Sequence, residues 1–178
     1  MADKTFAEAL NDHIPNEFAA SHAYLAAAIY FDDRTMPRMA AFFYRQAVEE
    51  RNHAMMIVQY LMDIGETPTI PGVIAPASEF ANLVEPVKMA LEQERKVTRQ
   101  FNELTAIARD ADDFQGEQFL QWFLREQVEE VALMGDLLTV CERGSDQPLE
   151  IEEFLAREGL GEEDGTDPTA PKAAGGAL

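Results

Sequence analysis

Cysteine and tryptophan are nearly missing from this 178-residue sequence, where Cys141 and Trp122 stand alone. One cysteine forms no internal disulfide and builds no cysteine-rich metal domain. It points instead to a reducing compartment, with Cys141 serving as a small core residue. Basic side chains are scarce too: 14 lysines and arginines face 33 acids, for a formal net charge of -19. That balance argues against nucleic acid or an anionic membrane as partner and favours the accumulation of cations. No apolar run approaches the ~20 residues of a membrane-spanning helix. The start, Met1-Ala2-Asp3-Lys4, lacks the basic and apolar regions of a secretory leader. The expectation is a cytoplasmic protein.

What the sequence does have is four long segments with apolar residues at helical spacing, each stripe broken by acid. Leu10, His13, Glu17, Ala20, Tyr24, Ala27 and Phe31 step by three and four along one face. Phe43, Ala47, Glu50, Ala54, Ile57 and Leu61 repeat the pattern, as do Val87, Ala90, Glu94, Val97, Phe101, Leu104 and Ala108. The last stripe is Leu120, Phe123, Gln127, Glu130, Met134, Leu137 and Cys141. Such spacing places each set on the face that packs inward. An ionised carboxylate buried without a partner costs several kcal/mol or more. No comparable set of inward lysines or arginines is present, so a divalent metal is the economical partner.

The stripes predict an all-α chain. The first helix is expected over Thr5–Asp32, the second from Pro37 to about Ile64, where Gly65 stops it. Residues 65 to 78 hold Gly65, Pro68, Pro71, Gly72 and Pro76 and read as an extended connection. A third helix begins around Pro86 and runs to Asp110; a fourth, capped by Asp112 or Asp113, ends at Gly144. Pro148 opens a short fifth helix to Glu158. Two short turns and one long crossover describe a four-helix bundle whose second and third helices run parallel. Residues 1–158 form one domain in this reading. Residues 159–178, rich in Gly, Pro, Ala and acid, form a mobile tail. Pro15 sits two residues before Glu17 and removes a backbone hydrogen bond. A local bend with Glu17 still facing inward is expected.

Glu50 and His53, three residues apart, share one helical face. Glu17 and Glu94 oppose them from other helices at similar height. Carboxylates bridge and neutralise two metal ions, and neutral imidazole suits iron. The arrangement is the one by which di-metal carboxylate bundles are generally recognised.

With these residues, and above all Gln46-Ala47-Val48-Glu49-Glu50-Arg51-Asn52-His53-Ala54, the chain resembles the non-haem bacterial ferritins over about residues 5 to 158. The resemblance implies a ferritin-like fold, iron storage and ferroxidase activity, with dioxygen oxidising Fe(II). It also implies a hollow shell of twenty-four copies that holds the ferric mineral. Carried over by position, Glu17, Glu50 and His53 would hold a first iron. Glu50 would bridge to a second, held also by Glu94 with Gln127 nearby. Glu49, Glu126, Glu129 and Glu130 would form a third iron site. Tyr24, and less clearly Trp122, would supply an electron. No haem is expected, since Arg51 stands where bacterioferritins carry a haem-ligating methionine. The fourth helix likewise reads Gln127-Val128-Glu129-Glu130 rather than a second Glu-x-x-His.

His13 reads as a satisfied or surface histidine rather than a ligand, and His22 as structural. Residues Lys172 to Leu178 admit two readings: a docking peptide for an enclosing shell protein, or a disordered end, which is preferred. A di-iron oxygenase would need an apolar substrate pocket beside the metals, for which the chain looks short. A purely structural bundle would leave the inward acids unexplained.

Overall fold

The computed structural model describes residues 4–160 and 167–178, and all regular structure among them is helical. The helices are α1 (Phe6–Asn11), α2 (Ile14–Asp32), α3 (Pro37–Asp63), α4 (Val84–Asp110), α5 (Phe114–Arg143) and α6 (Pro148–Glu158). Every residue of the four stripes is buried. The periodicity of apolar side chains, not propensity alone, sets the architecture.

One expected element differs. The first helix is two, broken at Asp12 and His13. α1 is closed by a capping box, in which the Thr5 hydroxyl accepts from Glu8 N while the Glu8 side chain accepts from Thr5 N. Pro15 then falls in the first turn of α2, where its missing N–H would have had no partner anyway. The bend stands and Glu17 is wholly buried. The other boundaries lie within two residues of expectation. Gly65, with φ of 86°, takes the left-handed turn that ends α3. The Asp113 carboxylate caps α5 by accepting from Gly116 N at 2.8 Å.

Short turns make α2 and α3, and likewise α4 and α5, antiparallel neighbours. The core divides into two apolar clusters. One joins the end of α2 (Phe31), the start of α3 (Phe43), the start of α4 (Val87), the end of α5 (Leu137) and α6 (Ile151, Leu155). The other joins α1 (Phe6, Leu10), the end of α3 (Ile57, Leu61), the end of α4 (Phe101, Leu104) and the start of α5 (Leu120, Phe123). Because both starts and both ends coincide, α3 and α4 run parallel, as the extended 65–83 crossover requires. The chain is an all-α four-helix bundle with a short C-terminal helix. α6 is locked on by its own acid: Glu152 accepts from the N–H groups of Arg38 and Met39 at 2.8 and 3.0 Å, capping α3 from outside.

Of the C-terminal segment, residues 167–178 lie against α3 and α5. Trp122 donates its indole N–H to Asp167 at 2.8 Å, and Ala174 N donates to the Met55 carbonyl at 2.9 Å. Asn52 exchanges two hydrogen bonds with the Leu178 backbone. Backbone and side-chain polar bonds hold this segment, which composition alone does not reveal. Part of the tail, residues 161–166, lies outside the described residues.

Candidate metal centre

Between the two apolar clusters lies a polar layer at mid-height of the bundle. Its buried members are His13, Glu17, Gln46, Glu50, His53, Glu94, Gln127 and Glu130, drawn from α2 to α5 and the break before α2. Each occupies a stripe position or a neighbouring turn, so the helical period that buries the apolar residues buries these as well.

Glu17, Glu50 and His53 form one wholly buried group, each offering a ligand atom within 4.8 Å of the others. His53 Nδ1 lies 3.6 Å from both Glu17 Oε2 and Glu50 Oε2, too far for hydrogen bonds. Among the described residues, Glu17 Oε2, Glu50 Oε1 and both His53 ring nitrogens are buried and have no hydrogen-bond partner. Four orphaned buried donors and acceptors in one place need an explanation. Carboxylate oxygens with imidazole nitrogen are the donor set of a divalent first-row metal.

Glu94 stands apart from that group because both of its oxygens are engaged. Tyr24 donates its hydroxyl to Oε1, and Gln127 Nε2 donates to Oε2 at 3.1 Å. Thr98 Oγ1 sits 2.8 Å from both the Glu94 carbonyl and Gln127 Oε1, fixing the amide's orientation. Glu49, Glu126 and Glu130 make a second group, half-buried except for buried Glu130. Gln46 donates to Glu49 at 2.8 Å. Glu129 is exposed and lies outside that group, though it lines the same groove between α3 and α5.

Electrostatics follows from crowding acids in a dry layer. Burial, then Glu94, pushes the Glu50 carboxyl well above its ordinary range. Burial raises Glu94 too, against the bonds from Tyr24 and Gln127. Glu130 is pushed up to about 8 by burial and by Glu49 and Glu94. Glu126 rises for the same first reason, helped by Glu49. Glu17 is the exception. Burial would lift it, but the His13 and His53 imidazoles outweigh burial and hold it well below the usual carboxylate range. Burial opposes charge on His53, yet Glu17 and Glu50 raise it well above its ordinary value. The layer carries more acid than cation, so a metal entering it displaces protons.

His13 is the residue whose place in this layer the sequence left open. It is buried, and its Nε2 meets Glu17 Oε1 at 2.5 Å. Its distance of one turn from Glu17 was the available signal, but spacing alone does not say whether a ring at a helix break turns inward. Thr98, which holds Gln127, lay off the stripe and gave none. Trp122 packs edge-on to His53, with ring centroids 5.5 Å apart. His22 is exposed.

Comparison with known proteins places this geometry. Residues 7–144 match the ferritin family model, described as a ferritin-like domain. A protein named ferritin BfrB from Mycolicibacterium smegmatis is 48% identical, across 99% of this chain and 96% of its own. A bacterial non-heme ferritin of Staphylococcus aureus is 44% identical over 75% of this chain and 80% of that one. Among solved structures, an open pore ferritin from the archaeon Archaeoglobus fulgidus superposes with a TM-score of 0.83 at 29% identity. The match covers 92% of this chain and all of that one. A bundle with a buried acid layer, matched over most of its length by these relatives, belongs to the ferritin family.

Proposed function

We propose that this chain stores iron and is itself the ferroxidase that loads it. Ferrous ions, the substrate, enter the polar layer and are oxidised by dioxygen, and the ferric product is kept as mineral inside a hollow shell of twenty-four copies. The observation that carries this reading is the set of orphaned buried ligand atoms on Glu17, Glu50 and His53, drawn from two helices and faced by Glu94 from a third. Ferrous iron supplies one electron per ion; the protein's own part is positional and electrostatic.

Glu17, Glu50 and His53 would hold one ion, and Glu50, with Glu94 and Gln127, a second. Tyr24, hydrogen-bonded to Glu94, is placed to donate an electron and a proton toward the reacting layer. Glu49, Glu126, Glu129 and Glu130 line a solvent-open groove that also reaches His53, which supports a third iron site and an exit or entry route. The net charge of -19 draws cations to such a mouth. Haem forms no part of the proposal, because Arg51 follows Glu50. A cytoplasmic setting is proposed from the lone buried cysteine. Residues 1–158 are the working unit. For the C-terminal residues, the bonds to Asn52 and Met55 favour a docked chain end over a peptide held out for an enclosing shell.

Ferrous iron added to metal-free protein in air tests the reading. Fast growth of ferric absorbance, with many irons retained per chain on gel filtration and round hollow particles by electron microscopy, supports it. Oxidation without retention points to an oxygenase, and no oxidation at all to scaffolding.

A further inference from the structure

Glu17 is the acid of the layer whose two oxygens have different fates. Oε1 is taken by His13 Nε2 at 2.5 Å, whereas Oε2 is buried, has no hydrogen bond among the described residues, and lies 3.6 Å from His53 Nδ1. His13 is held from three sides. It begins α2 beside the break that Pro15 allows, its Nδ1 lies 3.4 Å from the Asn16 side-chain amide, and its ring packs on Phe101 at 4.6 Å between centroids. With Nδ1 facing the Asn16 amide nitrogen, the arrangement suits the tautomer that carries its proton on Nε2, the nitrogen that meets Glu17. His13 is not among the residues whose ligand atoms converge on His53 and Glu50.

We infer that His13 is a positioning residue for the metal centre: its hydrogen bond pins one oxygen of Glu17 so that only the other faces the ions. This rests on the proposed metal reading of the layer and assigns Glu17 a one-oxygen ligand role. The physical ground is general. A ligand carboxylate free to rotate loses side-chain entropy on binding, whereas one already held by a buried donor does not. Outer partners of this kind typically change metal affinity by about 10–100-fold. The break between α1 and α2 then has a use, since it leaves this ring at the very start of α2, one turn before the carboxylate it holds.

Cobalt(II) added to the metal-free full chain is the probe, read by its visible absorption bands and by titration calorimetry, neither of which depends on turnover. Three substitutions divide the possibilities. His13→Phe keeps the packing on Phe101 and removes the donor; His13→Gln keeps a donor amide within reach; Glu17→Ala removes the ligand. The expected result is a first cobalt bound about 10–100-fold more weakly by His13→Phe, with altered band intensities. His13→Gln returns affinity and spectrum close to wild type, and Glu17→Ala loses the first ion. Wild-type affinity and bands in His13→Phe overturn the inference, as does a His13→Gln no better than His13→Phe. A wild-type chain that takes up no cobalt fails differently: there the metal reading of the layer itself is at fault.

Discussion

Replacing Glu130 with glutamine removes a charge that the metal-free molecule tolerates badly. The carboxyl is 5% exposed and is pushed from 4.5 up to about 8 by burial and by Glu49 and Glu94. A folded-state value above the unfolded one means the protonated acid is compatible with folding and the ionised acid is not. Its contribution is therefore intact below about pH 4.5 and is lost as pH rises through about 8. At 1.36 kcal/mol per unit, the lift corresponds to a penalty of roughly 5 kcal/mol above pH 9, an upper figure because ionised side chains relax and admit water. Glu130→Gln keeps the size and escapes the penalty. The assay is urea unfolding of chelator-treated protein from pH 5 to pH 9. The variant's advantage should widen across that window to a few kcal/mol, and added zinc should narrow it by neutralising the wild-type acid. Glu17, held low by His13 and His53, loses its contribution only on the acid side of this window and so adds no slope to either protein between pH 5 and pH 9. Parallel pH curves for the two proteins would refute the argument that this charge is uncompensated.

Glu50→Ala should slow initial ferrous oxidation by more than about a hundredfold, since loss of a ligand exceeds loss of its outer partners; stopped-flow absorbance reads it, and an unchanged rate would move the chemistry elsewhere. Phe101→Ala, in the cluster below the polar layer, should cost about 3–5 kcal/mol in chemical unfolding. A loss under 1 kcal/mol would mean that the site collapses to fill the hole. Deleting residues 167–178 strips the Asp167 partner from Trp122, the sole tryptophan, so its fluorescence should shift to longer wavelength. Identical emission from the two chains would show that the segment does not cover that ring in solution.

The stripes made most of the bundle legible, because a residue on a 3.6-residue period among apolar neighbours has only one place to go. Glu17, Glu50, Glu94, Gln127 and Glu130 were read as inward on that ground, and all are buried. The break at Asp12 and His13 was half legible: Pro15 announced a disturbance, but a proline suits the first turn of a new helix as well as a kink. Two features were hidden because they are tertiary. Glu152 caps a helix that begins 115 residues earlier, and no local pattern couples the two. The C-terminal contacts rest on Asn52, Met55 and Trp122, whose polar atoms and carbonyls carry no periodic signal.

The division of the interior into two greasy halves around a charged waist has a consequence for how the molecule can change. Phe31 and Leu137 belong to one end, Ile57 and Leu120 to the other, and the two clusters share no side chain among the described residues. Substitutions placed one in each half should therefore add within about 0.5 kcal/mol, whereas any that reach the waist will not. Descendants of this chain are free to vary at its poles while its equator stays fixed.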